Sequence, residues 1–393
     1  MKLILVVLST FLALSTFAAS PAGVVTTIAG QPGQPGYWDG PSQDAQFTHP
    51  TWLDVVPSTN VRSCDEGKAG EIFVVDRMNQ RVRRISETGF VSTVQPLIPS
   101  FVPPFHLDFD SAFGGGVMVE RVGDGCGCSV YSRGIFFAST GTNQLVLLHP
   151  SGDLVARDDW FPILGTGQAG SADGNTNGTA QFNRPTGIAR SKDSDEPFGS
   201  TILKRKVYVA DSGNHTIRRI DWILSFEACP QGRTVATLAG NPGHPGFADG
   251  TGSAALFDTP RGIATAKDGS IYVSDSGNHV IRKITPDGVV TTVAGTPGVA
   301  GSDATHLNTP TGIDVDDSGN VFFVDTFNHA VRELTTDGKL ITVAGVLGVS
   351  GFADGDASTA KFNAPVGLKI APDGSLVVAD TGNNVIRRVT LTR

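Results

Sequence analysis

The feature that most constrains the fold is a strand without a sheet. Residues 24 to 30 read VVTTIAG, and no strand-like unit precedes them. Nearly the same string, VVTTVAG, recurs at 289 to 295, where it closes a stretch running from Thr259 to Gly295. That stretch holds four short runs rich in β-branched residues: GIATA, IYVSD, VIRKIT and VVTTVAG. The joints between them, KDG, SGNH and TPDG, carry the Gly, Asn and Asp that tight turns require. The unit therefore reads as a four-stranded antiparallel meander. A single small sheet with apolar residues on both faces must stack on others, so repetition is expected.

Six copies are present. Their turn asparagines are read at 79, 143, 214, 278, 328 and 383, a period of 50 to 71 residues, with insertions in the longer copies. Unit two is the weakest, with its first strand read at 105 to 110, FHLDFD, and a blurred fourth strand before Gly165. Unit six ends at Arg393 without a fourth strand. Four strands per unit at this period are the signature of a β-propeller. The spare N-terminal strand then completes the last unit and closes the ring. The expected fold is all-β: a six-bladed propeller of four-stranded antiparallel blades, its last blade completed by residues 24 to 30.

The triplets Asn214-His215-Thr216, Asn278-His279-Val280 and Asn328-His329-Ala330, each followed by an apolar residue and Arg, resemble the motif of NHL repeats. The resemblance covers the whole chain after its N-terminal segment. It implies a six-bladed propeller and leaves function open, since such propellers serve binding, sensing and catalysis.

The N-terminus has the layout of a secretory signal peptide: Lys2, an apolar run from Leu3 to about Leu14, then Ala18, Ala19 and Ser20. We read residues 1–20 as that signal and 21–393 as one propeller domain of an exported protein, with no membrane span. The net charge of -8 and the absence of a basic cluster argue against nucleic acid as a partner. An even set of four cysteines, Cys64, Cys126, Cys128 and Cys229, suggests two disulfides in an oxidising compartment, with the pairing open. Asn177 and Asn214 head glycosylation sequons.

In five units the second strand ends in Asp and the third carries Arg seven residues on: Asp76 with Arg83, Asp211 with Arg218, Asp275 with Arg282, Asp325 with Arg332 and Asp380 with Arg387. That spacing places each pair diagonally across a hairpin, and we read the pairs as structural. Unit two is read with Thr140 and Leu147 there, so both charges are lost together. His215, His279 and His329 occupy the same turn of different units, so they spread around the ring and do not converge on a metal. Asp39, Asp173, Asp249, Asp303 and Asp354 recur in the glycine-rich loops before each first strand, where each loop is expected to be pinned by the Phe or Leu that follows.

Candidate sites come from departures from the repeat. Four units place Gly second after the Pro that opens the first strand; units one and two have Trp52 and His106. With Phe105, Arg261, Tyr37 and Trp38 these are the candidate ligand contacts, on the face of the d–a and b–c loops, where a to d are the strands of a unit from first to last. Aromatics with an Arg are the composition of binding hot spots. Asp54, Asp108 and Asp314 take equivalent first-strand positions, and if they faced the channel they could hold one calcium, as in lactonase-like propellers. No nucleophile elbow, zinc-protease motif or phosphate loop is present. The reading is a module that binds a protein or small ligand and needs no cofactor, with catalysis left open; the alternative is a calcium-dependent hydrolase or lyase with its metal in the channel.

Overall fold

The computed structural model describes residues 23–56, 69–94, 117–123, 131–148, 163–175, 178–192, 202–225 and 233–392. These form a β-propeller of six antiparallel sheets, numbered here in chain order. Sheet 1 runs from the axis outward as Pro50–Val55, Ile72–Asp76, Arg81–Ile85 and Phe90–Val94. Sheet 4, the reference unit, is Pro260–Thr265, Ile271–Asp275, Val280–Ile284 and Val289–Gly295. The first strands touch one another in sequence around the axis, and that of sheet 6, Gly367–Ile370, touches that of sheet 1. The spare strand Gly23–Ala29 pairs antiparallel with Val385–Leu391, so the N-terminus supplies the fourth strand of sheet 6.

The blades are not uniformly four-stranded. In sheets 1, 3, 4 and 6 a fifth strand of two residues, such as Gly40–Pro41 or Gly250–Thr251, adds to the outer edge. The cause is local. The d–a loop drops down the flank of the sheet it leads into, and the glycine after its Asp turns it there with φ between 116° and 154° at Gly40, Gly174, Gly250 and Gly355, a region closed to other residues. The loop of sheet 5 reads SDAT, has no such glycine, and adds no strand.

Sheet 2 differs from its expected form. Its first described strand is Val117–Gly123, paired with Tyr131–Ser139; residues 105 to 110, where the sequence suggested it, lie outside the described residues. Ser139 pairs with Gln144 as Asp211 pairs with Thr216. Ser139 and Val146 thus occupy the Asp and Arg positions, one residue before Thr140 and Leu147. Asn143 likewise takes the position of His215, not of Asn214. The shift escaped the sequence because the turn TGTNQ holds an Asn one place late.

The core lies between sheets. Trp52 of sheet 1 packs with Phe73, Val75, Val82, Phe137 and Val146, bridging to sheet 2, while Ala210 and Ile217 of sheet 3 meet Phe257, Ile271 and Val273 of sheet 4. Each buried large aliphatic side chain contributes about 1.5–3 kcal/mol, so the stacking of neighbours stabilises what one small sheet cannot.

Candidate functional site

The recurring Asp–Arg pairs come first, because they build the surface from which a site could be made. Asp275 Oδ2 and Arg282 Nη1 lie 2.8 Å apart, both fully buried. The other pairs repeat this at 2.7 Å for Asp76–Arg83, 2.9 Å for Asp211–Arg218, 3.3 Å for Asp325–Arg332 and 2.8 Å for Asp380–Arg387. Asp275 also accepts from Asn278 Nδ2 and from the backbone N–H of Asp258. Burial pushes the carboxyls of Asp211, Asp275, Asp325 and Asp380 up to about 6, against the Asn, backbone and Arg donors that favour the anion.

Each arginine also reaches out. Arg282 Nη2 holds the d–a loop through Asp249 at 2.8 Å and the carbonyl of Ala248 at 2.7 Å, and its guanidinium lies 5.0 Å from the centroid of Phe257. Asp39, Asp173 and Asp354 meet Arg83, Arg218 and Arg387 in the same way. Four of the five loop aspartates are therefore clamps and not free ligands. Asp303, in the loop without the glycine, instead accepts from the backbone of Thr305 and His306.

The histidines are joints. His215, His279 and His329 sit at φ between 54° and 59°, and each Nδ1 accepts the backbone N–H that opens the next sheet, from Thr259, Thr309 and Ala364 at 3.0–3.1 Å. Asn143 and Asn384 do the same through Oδ1 for Arg184 and His49. Burial lowers the pKa of all three histidines, so the neutral imidazole with its proton on Nε2 fits this role.

Among the described residues, Trp52 and Arg261 do not share a site with Tyr37 and Trp38. Trp52 is a core residue at 7% exposure. The glycines at its position answer a different demand: a Cβ on Gly262 or Gly367 would stand 2.0–2.1 Å from a carbonyl oxygen of the neighbouring first strand, at Thr311 or Thr51. They record close strand approach, not a pocket wall. Arg261 is half-buried in sheet 4, its pKa pushed down to about 10 by burial and by Arg184, with Asp258 opposing. Tyr37 and Trp38 stand well out on the sheet 1 loop at 67% and 68% exposure, ring centroids 6.4 Å apart. Phe105 and His106 lie outside the described residues, as do Asp108, all four cysteines and Asn177. Asn214 is buried and its amide donates to Gly170 and Asp211, so it is closed to glycosylation.

Asp54 and Asp314 do converge, on the opposite face. There the first strands end around a cavity of about 790 Å³. Lys369 Nζ stands between the two carboxylates, 3.4 Å from Asp54 and 3.7 Å from Asp314, while Lys192 donates to the carbonyl of Val315 at 2.7 Å. Burial works to lower the pKa of Lys369, but Asp314 and Asp54 outweigh it and raise it. These residues do not fit calcium, since an ammonium fills the place a cation would take and six to eight oxygens are needed. No three metal-ligating side chains cluster among the described residues, and none of their helices is long and apolar enough to cross a membrane.

A family model described as the teneurin NHL domain matches residues 199–305. "NHL repeat-containing protein 2" of Gallus gallus is 31% identical over 176 residues, 40% of this chain and 22% of that protein. These matches support an NHL-repeat β-propeller family for the chain. "Protein SUPPRESSOR OF QUENCHING 1, chloroplastic" of Arabidopsis thaliana is 25% identical over 375 residues, 93% of this chain and 27% of that relative. The chain thus spans only about a quarter of the length of these curated relatives. Among solved structures, a protein of unknown function from Bacteroides thetaiotaomicron VPI-5482 superposes with a TM-score of 0.60 at 20% identity, covering 94% of this chain and 76% of that one. An auxiliary nutrient binding protein from Bacteroides ovatus ATCC 8483 gives 0.58 at 15% identity, covering 95% and 78%. Both likenesses concern the fold alone.

What sequence reasoning missed on this NHL propeller is a set of exposed apolar side chains beside Tyr37 and Trp38. Phe247 and Phe352 stand at the Tyr37 position of their loops, and Met78 and Phe327 at the second turn residue of sheets 1 and 5. The signal is in the loops, where an aromatic precedes Asp-Gly by two residues.

Proposed function

We propose that the chain is an exported six-bladed NHL propeller that binds a protein partner across the face formed by the d–a loops and b–c turns. The six sheets and their closing N-terminal strand support the blade count, and the layout of residues 1–20 supports export. One observation carries the choice of face. Of eleven exposed large apolar side chains among the described residues, eight lie in these loops: Tyr37, Trp38, Met78, Phe247, Val299, Phe327, Val349 and Phe352. The remaining three, Val24, Phe90 and Val289, lie on outer strands. Apolar residues concentrated on one side of a folded chain mark an interaction surface, and nothing in the core requires them there.

The test is site-specific photo-crosslinking in the native milieu. A photo-reactive residue at position 38 should capture a discrete protein, and one at position 267, on the opposite face, should not. Equal capture from both positions, or from 267 alone, would overturn the assignment of the face.

A further inference from the structure

The eight apolar side chains are not spread evenly. They lie over sheets 4, 5, 6 and 1, which are consecutive around the ring: Phe247 over sheet 4, Val299 and Phe327 over sheet 5, Val349 and Phe352 over sheet 6, and Tyr37, Trp38 and Met78 over sheet 1. Sheet 3 has Ser171 and Gly213 at the corresponding positions and shows no exposed large apolar residue among those described. Among the described residues the surface is thus an arc over four of the six sheets.

Over sheets 4 to 6 of this arc the surface is also acidic, whereas sheet 1 adds Arg77 in its turn and the exposed Arg81 beside it. Arg282 is shared by two carboxylates, Asp275 and Asp249, and Arg387 by Asp380 and Asp354. Each buried network therefore keeps one net negative charge, and the carboxylate at the surface, Asp249 or Asp354, is the half-exposed one. In sheet 5 the carboxylate of Asp303 pairs with no arginine; its Oδ2 lies 2.7 Å from His306 Nδ1, and it is 61% exposed. The cations along sheets 4 to 6 on this face are Arg261 and Lys361, both half-buried. The apolar side chains are also held in place: Phe247 and Phe352 lie 4.8 and 4.7 Å from the guanidinium groups of Arg282 and Arg387, and the carbonyl of Trp38 accepts from Arg83. Side chains ordered before binding lose less entropy when a partner arrives.

Resting on the reading that this face binds a protein, we propose that the segment it receives is cationic: Lys or Arg side chains flank aliphatic or aromatic anchors, the anchors seat against the apolar arc, and the cations meet Asp249, Asp303 and Asp354. An acidic or purely polar segment lacks one half of this match.

Three synthetic peptides of equal length decide it, titrated by fluorescence anisotropy against the whole mature chain. One carries Lys with Leu and Phe anchors, the second Glu with the same anchors, the third Lys with Ser in place of the anchors. The first is expected to bind about tenfold or more tighter than either other, the ratio that 1.4 kcal/mol gives. Its affinity should fall as salt is raised, as screening shortens from about 10 Å at 0.1 M to about 3 Å at 1 M. Trp38→Ser with Phe352→Ser should abolish that binding, and the isosteric Asp303→Asn should weaken it about twofold to fivefold, both in proteins that keep the parent's cooperative thermal transition. Comparable binding of the Lys and Glu peptides, or of none of the three, overturns the proposal. If position 38 still crosslinks a protein in that case, the binding face stands and only the partner's chemistry is wrong.

Discussion

Replacing Arg282 with Met removes one charge from a fully buried pair. Asp275 is then left fully buried with two neutral donors, Asn278 Nδ2 and the N–H of Asp258, while the carbonyls of Leu256 and Ala248 lose their partner. Breaking a buried pair by removing one member costs about 3–5 kcal/mol. At about 2 °C per kcal/mol for a chain of this size, the melting temperature should fall by about 6–10 °C at pH 7. Asp275→Ser should cost less, because Arg282 keeps Asp249. Asp275→Ser with Arg282→Met removes both charges, as Ser139 and Val146 do in sheet 2, and should be about 2 kcal/mol more stable than the sum of the single losses. The pH dependence is a second check. The carboxyl of Asp275 already sits at about 6, against an ordinary 3.8, because of burial, and loss of the cation raises it further. A raised acid binds its proton more tightly in the folded chain, so the Arg282→Met deficit should shrink as pH falls from 7 toward 5. Urea titrations of the four proteins at the two pH values measure all of this. An Arg282→Met protein as stable as the parent at pH 7, or a double variant no better than additive, would refute the reasoning.

Other outcomes follow from the joints between sheets. His279→Asn should be tolerated, since Asn143 and Asn384 already fill that position, whereas His279→Ala should cost about 1–2 kcal/mol for the orphaned N–H of Thr309, read from urea midpoints. The histidine pKa is lowered in the fold by burial, so its contribution is present above 6.5 and lost as pH falls through the lowered value; His279→Asn should lessen the acid sensitivity of the parent between pH 7 and 5.5. Deleting residues 24–30 removes the outer strand of sheet 6 and should abolish the cooperative thermal transition of the whole ring; a retained transition would mean that closure does not depend on it. Lys369→Met leaves Asp54 and Asp314, both nearly buried, with Lys192 3.8 Å from Asp314 as the remaining ion-pair partner, and should lower the melting temperature by several degrees at pH 7.

The fold was legible because what repeats is what the backbone needs. A turn asparagine, a strand-end aspartate and an arginine seven residues on recur wherever a hairpin must be fixed to the loop beside it, and the spare VVTTIAG could have only one use. The site was less legible for the same reason. Departure from the repeat was taken as a sign of function at Trp52, yet Trp52 fills the gap toward sheet 2, and the glycines it departs from exist because neighbouring strands touch. The cation between Asp54 and Asp314 is supplied by Lys369, a residue of sheet 6 at the same first-strand position; with the six positions compared side by side, the lysine reads as a partner and not as an exception. Irregularity of sequence and irregularity of packing look alike in one chain, and only the geometry separates them.

The same geometry explains how such a surface can vary without cost to the fold. In the d–a loop Arg282 grips Asp249 and the carbonyl of Ala248, that is, one side chain and one main-chain atom. The ring of Phe247, two places before the Asp, lies against the same guanidinium, but neither of these two holds depends on it. That position is Tyr37, Ser171, Phe247 and Phe352 in the four loops built this way, a range from exposed ring to small hydroxyl, while the Asp, the Gly after it and the buried Phe anchor stay constant. Because the loop is fixed from below, a substitution above changes what the face presents and leaves the clamp intact. Tyr37→Ser should then leave the melting temperature where it is, whereas Asp39→Ser, two residues away, should lower it by opening Arg83 to solvent.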